Sequence, residues 1–167
     1  MIVAHAILAA RDWSISMAKT VYTAEATITG GRENGHAVTS DGTLDLQLRL
    51  PPEMGGQGGA TNPEQLFAVG YAACFEGALG VVGRRERAEV GDVSIDSRVS
   101  LITTEDRGFN VSVELDVTLP QVTDPEQAVR LVAAAHEVCP YSNATRGNVD
   151  VSLTANGREV GVAEAAH

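Results

Sequence analysis

The longest apolar segment of the chain spans residues 61–87 and reads TNPEQLFAVGYAACFEGALGVVGRRER. Asn62 suits the N-cap position of a helix, and Pro63 suits the first helical position, where a missing N–H costs nothing. Between positions 66 and 82 the side chains are apolar or small, and Glu76 carries the only charge. This pattern predicts a helix that is buried on most of its faces and around which the rest of the chain packs.

Small residues recur along this predicted helix at spacings of three and four. Such a row lets another backbone approach the helix closely, although each glycine lowers helix propensity by up to about 1 kcal/mol. The row consists of Gly70, Ala73, Gly77, Gly80 and Gly83.

The length and charge of the chain limit the classes of protein to which it can belong. Its 167 residues are enough for one domain with a real core. The net charge of -10 argues against nucleic acid or an anionic membrane as a partner, because no basic face is available for phosphates. No apolar run reaches the roughly 18 uninterrupted residues typical of a transmembrane helix, so we expect no membrane-spanning segment.

The cysteine content indicates an intracellular protein. Two cysteines are too few for a disulfide-stapled secreted scaffold, and they do not form a C-x-x-C pair. A short apolar run at positions 2–10 is not preceded by Lys or Arg, as the apolar part of a signal peptide would be. We therefore expect a cytoplasmic protein with two separated thiols.

The domain boundaries follow from the two ends of the sequence. Met17 and the residues after it resemble an ordinary start, so residues 1–16 are expected to be an N-terminal extension without ordered structure. Residues 17–160 are predicted to form a single domain. Residues 161–167 are predicted to be a polar, frayed C-terminal tail.

Alternating apolar and polar residues predict strands in two blocks, each followed by a helix. The second helix begins at the N-cap Asp124 and ends near Val138. The predicted strands cover residues 21–30, 36–40, 44–50, 93–101, 109–119 and 147–155. This order predicts an α+β fold rather than an alternating parallel one.

Cys74 lies in the middle of the apolar helix, and Cys139 follows the second helix. A cysteine in such a helix can simply act as a small hydrophobic residue. A reactive cysteine must be a thiolate, and since burial raises the pKa of a thiol, a reactive Cys74 needs a cation close to it. Arg32, in a Gly-Gly-Arg turn, is the best candidate, and a solvated turn arginine is the alternative interpretation.

Other kinds of chemistry are less well supported by the sequence. A metal site would need His136 together with Cys139 and Cys74, which lack the close paired spacing of structural zinc ligands. A serine hydrolase is excluded because no G-x-S-x-G motif is present. We interpret His136 as a helix-face residue whose hydrogen bonds are satisfied locally.

Three long motifs of this chain resemble one known family. They are GGRENGHAVTSDGTLDLQL at residues 30–48, GATNPEQLFAVGYAACFEGAL at residues 59–79 and CPYSNATRGNVDVSL at residues 139–153. Together they resemble the organic hydroperoxide resistance proteins, a branch of a larger family that also contains the osmotically induced peroxidases. The resemblance extends from Met17 to about Val160.

The resemblance implies a fold, an assembly and an activity. The family fold has antiparallel sheets around a long buried central helix, in an intertwined homodimer. Its members are cofactor-free thiol peroxidases that reduce organic and fatty acid hydroperoxides to alcohols. They are recycled by the dihydrolipoyl group of a lipoylated protein, so the resemblance implies a hydroperoxide substrate and a lipoylated partner.

The resemblance also implies a role for each of four residues. Cys74 corresponds to the peroxidatic cysteine, which becomes a sulfenic acid, and Cys139 to the resolving cysteine, which then closes a disulfide with it. Arg32 corresponds to the arginine that favours the thiolate. Glu64 corresponds to the glutamate that would hold the guanidinium by paired hydrogen bonds.

Helix geometry adds an expectation about assembly. Ten residues separate Glu64 from Cys74, which is about 15 Å of rise in a straight helix. One arginine cannot easily serve both side chains, so the helix is broken between them, or Arg32 reaches along it, or a second subunit supplies part of the site. We expect the last, a homodimer with composite active sites. Two alternatives remain open from the sequence: a thiol redox sensor, and a member of the osmotically induced branch with a different substrate preference.

Overall fold

The computed structural model describes residues 19–106 and 108–161. The predicted extension at residues 1–16 lies outside the described residues, as does the predicted tail beyond residue 161. The described part of the predicted domain contains two β-sheets and three α-helices.

The first sheet has three antiparallel strands in the order β1-β2-β3. They are β1 (Ala26–Thr29), β2 (Asn34–Thr39) and β3 (Asp45–Arg49). The strand predicted from residue 21 is formed only in its second half. Gly30 and Gly31 both have positive φ angles in the turn between β1 and β2, which is why two glycines precede Arg32 there.

The central helix α1 (Pro63–Glu86) has 24 residues and begins as the sequence predicts. The Asn62 side chain accepts a hydrogen bond from the Gln65 amide, and the Gln65 side chain accepts one from the Asn62 amide. The start of α1 is also tied to β3, because the Arg49 amide donates to the Thr61 carbonyl at 2.9 Å. The first turn of α1 is therefore held beside the first sheet.

The second sheet has the strand order β4-β5-β6-β7. Its strands are β4 (Ser94–Thr103), β5 (Phe109–Thr118), β6 (Asp150–Ala155) and β7 (Arg158–Val160). All neighbouring pairs are antiparallel except β5 and β6, which run parallel. The parallel pair departs from the antiparallel expectation because two helices lie between β5 and β6 and carry the chain back to the same end of the sheet.

These two helices are α2 (Pro125–Val138) and α3 (Pro140–Thr145). The sequence predicts α2 but not α3, because a proline after a helix indicates only where that helix stops. Proline is equally suited to the first position of a new helix, which is the position that Pro140 occupies. The strand β7 is likewise not predicted, and it contributes the buried Val160 to the core.

The core lies where α1 and α2 pack together and against the second sheet. Its largest fully buried side chains are Tyr71, Phe75, Leu79, Leu115, Leu119, Leu131 and Leu153. The α+β fold with a long central helix is therefore confirmed.

One face of α1 and the whole of β1 stay exposed in the chain by itself. Val69 of α1 is 70% exposed, and Ile28 of β1 is 57% exposed. The row of small residues is partly on this face, because an added Cβ at Gly77 would meet nothing within 4 Å. Burial on most faces of α1, as expected from the sequence, is therefore not reached within one chain.

By length and composition alone, α1 is long and apolar enough to cross a membrane. The sequence-based count of uninterrupted apolar residues stops at Glu76, whereas the average hydropathy of α1 stays high despite this one charge. Core helices of globular proteins have the same composition. In the structure α1 packs against β4, α2 and α3.

Candidate functional site

The two thiols lie next to each other, although 65 positions separate them in sequence. Cys74 is in the middle of α1, and Cys139 is the corner residue between α2 and α3. The sulfur atoms are 3.6 Å apart and both cysteines are free. Cys139 is fully buried, whereas Cys74 is partly exposed. Only Cys74 can therefore meet a molecule that arrives from solvent.

The corner at Cys139 is fixed by the helices on either side of it. The Cys139 amide donates to the Ala135 carbonyl at 2.8 Å, which closes α2. The Cys139 carbonyl accepts from the Asn143 amide at 3.0 Å, which opens α3. The backbone between these two bonds is extended and directs the side chain onto α1.

The surroundings of Cys74 raise its pKa above the usual thiol value. Burial is the largest cause, since it disfavours the thiolate, and the neighbouring Cys139 acts in the same direction. The backbone N–H of Tyr141 acts against them by hydrogen bonding to the sulfur, which lowers the pKa. Within the described residues the thiol form of Cys74 is thus favoured, and a reactive thiolate needs a further positive charge.

Three aromatic rings form one wall beside the thiols. The centroids of Phe67 and Tyr71 are 5.9 Å apart, those of Phe67 and Tyr141 6.1 Å, and those of Tyr71 and Tyr141 5.7 Å. An added Cβ at Gly70 would lie 3.3 Å from the Tyr141 hydroxyl, so this glycine lets the ring lie close to α1. Sequence reasoning missed Tyr71 and Tyr141 as site residues, although Tyr141 stands in the CPY motif.

Below the aromatic wall, three hydroxyl groups connect α1 with α3. Tyr71 donates to Ser142 Oγ at 3.1 Å, and its oxygen lies 3.2 Å from Thr145 Oγ1. Thr145 Oγ1 also donates to the Tyr141 carbonyl at 2.9 Å. Burial raises the pKa of Tyr71, so its phenol stays protonated and can donate.

Arg32 and Glu64 form an ion pair at the other end of α1. Arg32 is in the turn between β1 and β2, and Glu64 is in the first turn of α1. The contact joins Arg32 Nη2 to Glu64 Oε1, so one hydrogen bond is formed and not the expected pair. Arg32 Nε is buried and has no hydrogen-bond partner within the described residues.

The structure therefore brings the four predicted site residues together as two separate pairs. The pKa of Cys74 responds to burial, Tyr141 and Cys139 and not, within the part of the chain that is described, to Arg32. Glu64 precedes Cys74 by ten residues of continuous helix, a rise of about 15 Å. Arg32 thus contacts the first turn of α1 through Glu64, and Cys74 lies about three turns further along the same helix.

His136 differs from its sequence-based interpretation. It is 7% exposed, and its Nδ1 atom is buried without a hydrogen-bond partner in the described ranges. Burial and the nearby Arg146 lower the pKa of His136, so the imidazole is neutral at pH 7. The interpretation that its hydrogen bonds are satisfied locally is therefore wrong. Among residues 19–106 and 108–161, no group of three His, Cys, Asp or Glu side chains could hold a metal ion.

The sequence and the structure were compared with known protein families, and the matches are to proteins that share this fold. The family model described as OsmC-like protein matches residues 56–154. An organic hydroperoxide resistance protein of Xanthomonas axonopodis pv. citri (strain 306) is 55% identical over 138 residues, which are 81% of this chain and 95% of the relative.

Two crystal structures extend the likeness to three dimensions. An organic hydroperoxide resistance protein from Legionella pneumophila is 54% identical with a TM-score of 0.77, over 81% of this chain and 97% of that one. A protein of the same description from Vibrio cholerae, with captopril bound in one of its active sites, is 46% identical with a TM-score of 0.80, over 84% and 96% of the two chains. The chain therefore belongs to the OsmC-like family, in its branch of organic hydroperoxide resistance proteins. This confirms the resemblance stated from the three motifs.

Proposed function

We propose that this protein is a thiol peroxidase that reduces organic and fatty acid hydroperoxides to alcohols. The observation that carries the proposal is the pair of free thiols 3.6 Å apart, one accessible and one buried. A partly exposed thiol can attack a substrate, and a buried neighbour can then close a disulfide without competing for that substrate. The relatives named as organic hydroperoxide resistance proteins support the choice of substrate.

The reaction follows from the positions of the two sulfurs. The Cys74 thiolate attacks one peroxide oxygen, a sulfur–oxygen bond forms, the O–O bond breaks, and the alkoxide takes a proton and leaves as the alcohol. The Cys139 thiolate then attacks the Cys74 sulfenic acid, the disulfide forms, and the hydroxide leaves as water. Thiol–disulfide exchange with a dihydrolipoyl group restores both thiols. No bound cofactor is required.

The Cys74 thiolate needs a positive charge close to it, and a second copy of the chain would supply that charge. Arg32 and Glu64 form an ion pair that is remote from Cys74 of the same chain, and Arg32 Nε has no partner among the described residues. In a homodimer, the partner subunit's Arg32 would lie beside Cys74, with the partner subunit's Glu64 orienting it. The exposed face of α1 and the exposed strand β1 are the surfaces that such a partner would cover.

The preference for an organic peroxide rests on the aromatic wall. Phe67 and Tyr141 stack on each other at 6.1 Å, and the backbone of Tyr141 contacts Cys74, so these rings would offer apolar surface on the approach to the accessible thiol. An alkyl or acyl tail gains free energy by covering such surface, about 25 cal/mol per Å² of apolar area removed from water. Hydrogen peroxide has no tail and gains nothing there.

The proposed setting is the cytoplasm. A reducing compartment keeps free thiols available, and the lipoylated proteins that would reduce the disulfide are dithiol carriers of such a compartment. The net charge of -10 gives the protein no affinity for nucleic acid or anionic membranes, so neither is proposed as a partner.

A turnover assay tests the proposal. We expect the purified protein to consume cumene hydroperoxide when dihydrolipoamide is the reductant, and to consume hydrogen peroxide much more slowly. The Cys74→Ser variant is the matched control for reaction of the reductant with peroxide. A protein that oxidises its thiols once but does not turn over with any dithiol would support a redox sensor and contradict the proposal.

A further inference from the structure

We propose that Tyr71 is a positioning residue: its hydroxyl holds α3 against α1, so that the sulfur of Cys139 faces the sulfur of Cys74. The inference extends the proposed function, on which its chemical meaning rests. It assigns a purpose to a buried phenol that the peroxide reaction itself does not use.

The placement of Tyr71 on α1 supports this role. Tyr71 precedes Cys74 by three residues, so both side chains point from neighbouring positions on the same side of the helix. Its side chain is fully buried, while its hydroxyl oxygen contacts two residues of α3. The hydroxyl therefore joins the helix that carries Cys74 to the helix that begins directly after Cys139.

The short helix α3 depends on such external support. It has six residues, and a helix of that length is not stable by itself in water. Tyr71 binds it through Ser142 near its start and Thr145 at its end. Because the Cys139 carbonyl accepts the Asn143 amide of this helix, a displacement of α3 also displaces Cys139.

The resolving step is sensitive to such a displacement. The two sulfurs are 3.6 Å apart and must approach to about 2.05 Å when the disulfide forms. In that step the Cys139 thiolate displaces hydroxide from the sulfenic sulfur of Cys74, the S–O bond breaks and water is released. If α3 were free to shift, the Cys139 sulfur would spend less time in the position from which it can attack the Cys74 sulfur. The sulfenic acid would then persist for longer.

The Tyr71→Phe variant tests the inference, because it keeps the buried ring and removes only the hydroxyl. In single-turnover experiments with cumene hydroperoxide, we expect sulfenic acid formation at Cys74 to slow much less than disulfide formation, because α3 contributes to the first step only through the Tyr141 N–H. Disulfide formation should slow by about tenfold, which corresponds to 1.36 kcal/mol in the barrier. A cyclic diketone that labels sulfenic acids should trap more Cys74 than in the wild type.

Two serine variants complete the experiment. Ser142→Ala removes the hydroxyl that accepts from Tyr71 and should slow disulfide formation in the same way. Ser97→Ala is the matched control, since Ser97 Oγ is also buried but has no hydrogen-bond partner within residues 19–106 and 108–161. The double variant Tyr71→Phe/Ser142→Ala should be no slower than Tyr71→Phe, because Ser142→Ala removes one of the two contacts that Tyr71→Phe already removes.

Failure of this inference can be told apart from failure of the proposed function. If the wild type does not react with organic hydroperoxides, the proposed function fails, and the same variants can be oxidised with diamide, which takes two electrons and two protons from a thiol pair to give the disulfide. Slower disulfide formation with diamide in Tyr71→Phe, and not in Ser97→Ala, would still support the positioning role. Equal rates in wild type and both hydroxyl variants would overturn it, as would an equal loss in both steps.

Discussion

The two cysteines differ in exposure, and this difference separates their proposed roles at the scale of single residues. Cys74→Ser should lose peroxidase activity completely, because a hydroxyl at this position is not ionised. Cys139→Ser should still reduce one equivalent of peroxide per chain and stop as a sulfenic acid. Stopped-flow measurement of the first turnover checks this, and bursts of equal size in both variants would show that the roles are assigned wrongly.

Arg32 is expected to control the ionisation of Cys74 across the proposed interface. Burial raises the pKa of Cys74 within its own chain, so the thiolate must be favoured by a charge from outside that chain. Removing an opposite charge at close range raises a thiol pKa by about 1–3 units, and each unit costs about 1.4 kcal/mol of thiolate stabilisation. In Arg32→Ala the alkylation rate at pH 7 should fall accordingly.

The pH profile gives the sign of this effect. Since the thiolate is the reactive form, the alkylation rate rises with pH through the pKa of Cys74, and the midpoint of this rise should lie at higher pH in Arg32→Ala. Arg32→Lys should restore little, because lysine is a single point charge and lacks the planar set of donors. A midpoint that does not move would exclude an electrostatic role for Arg32.

At the scale of elements, the N-cap that the sequence predicts at the start of α1 is formed in the structure and should stabilise the fold. Asn62→Ala removes the acceptor for the Gln65 amide at 2.9 Å and should lower the free energy of unfolding by about 1 kcal/mol. Urea unfolding checks the value. Gln57→Ala, in the exposed loop before α1, is the control and should leave stability unchanged.

The elements that the sequence predicts well are those with local signals. The capped start of α1 and the alternation in β5 depend on neighbouring residues, so they are readable from one stretch of chain. The helix α3 and the parallel pairing of β6 depend on where distant segments pack. Tyr71 and Ser142 are 71 positions apart in sequence, and no periodic pattern of residues predicts their contact.

The candidate site is predictable to a similar degree. The resemblance identifies Cys74, Cys139, Arg32 and Glu64, and the structure places them in two pairs. Their separation follows from the unbroken course of α1 between Glu64 and Cys74, which the sequence left open. The supporting residues Tyr71, Tyr141 and Ser142 do not follow from it, because their importance arises only when α3 docks on α1.

At the scale of the whole molecule, the separation of the two pairs predicts complementation between chains. Cys74→Ser subunits should be inactive and Arg32→Ala subunits strongly impaired, while a mixture should regain activity, because one of the two sites in a heterodimer has both intact residues. Subunit exchange must be verified with tagged chains. A mixture that exchanges and stays inactive would mean that each site is built from one chain.

Because the exposed apolar face of α1 is the proposed dimer interface, the amount of active enzyme would depend on the concentration of chains. If the active site is completed only on pairing, then at concentrations where most chains are single the amount of active enzyme grows with the square of the chain concentration. Doubling synthesis would then raise detoxifying capacity about fourfold in that range by the same mass-action law. Newly made chains would have little peroxidase activity until their concentration was high enough for them to dimerise.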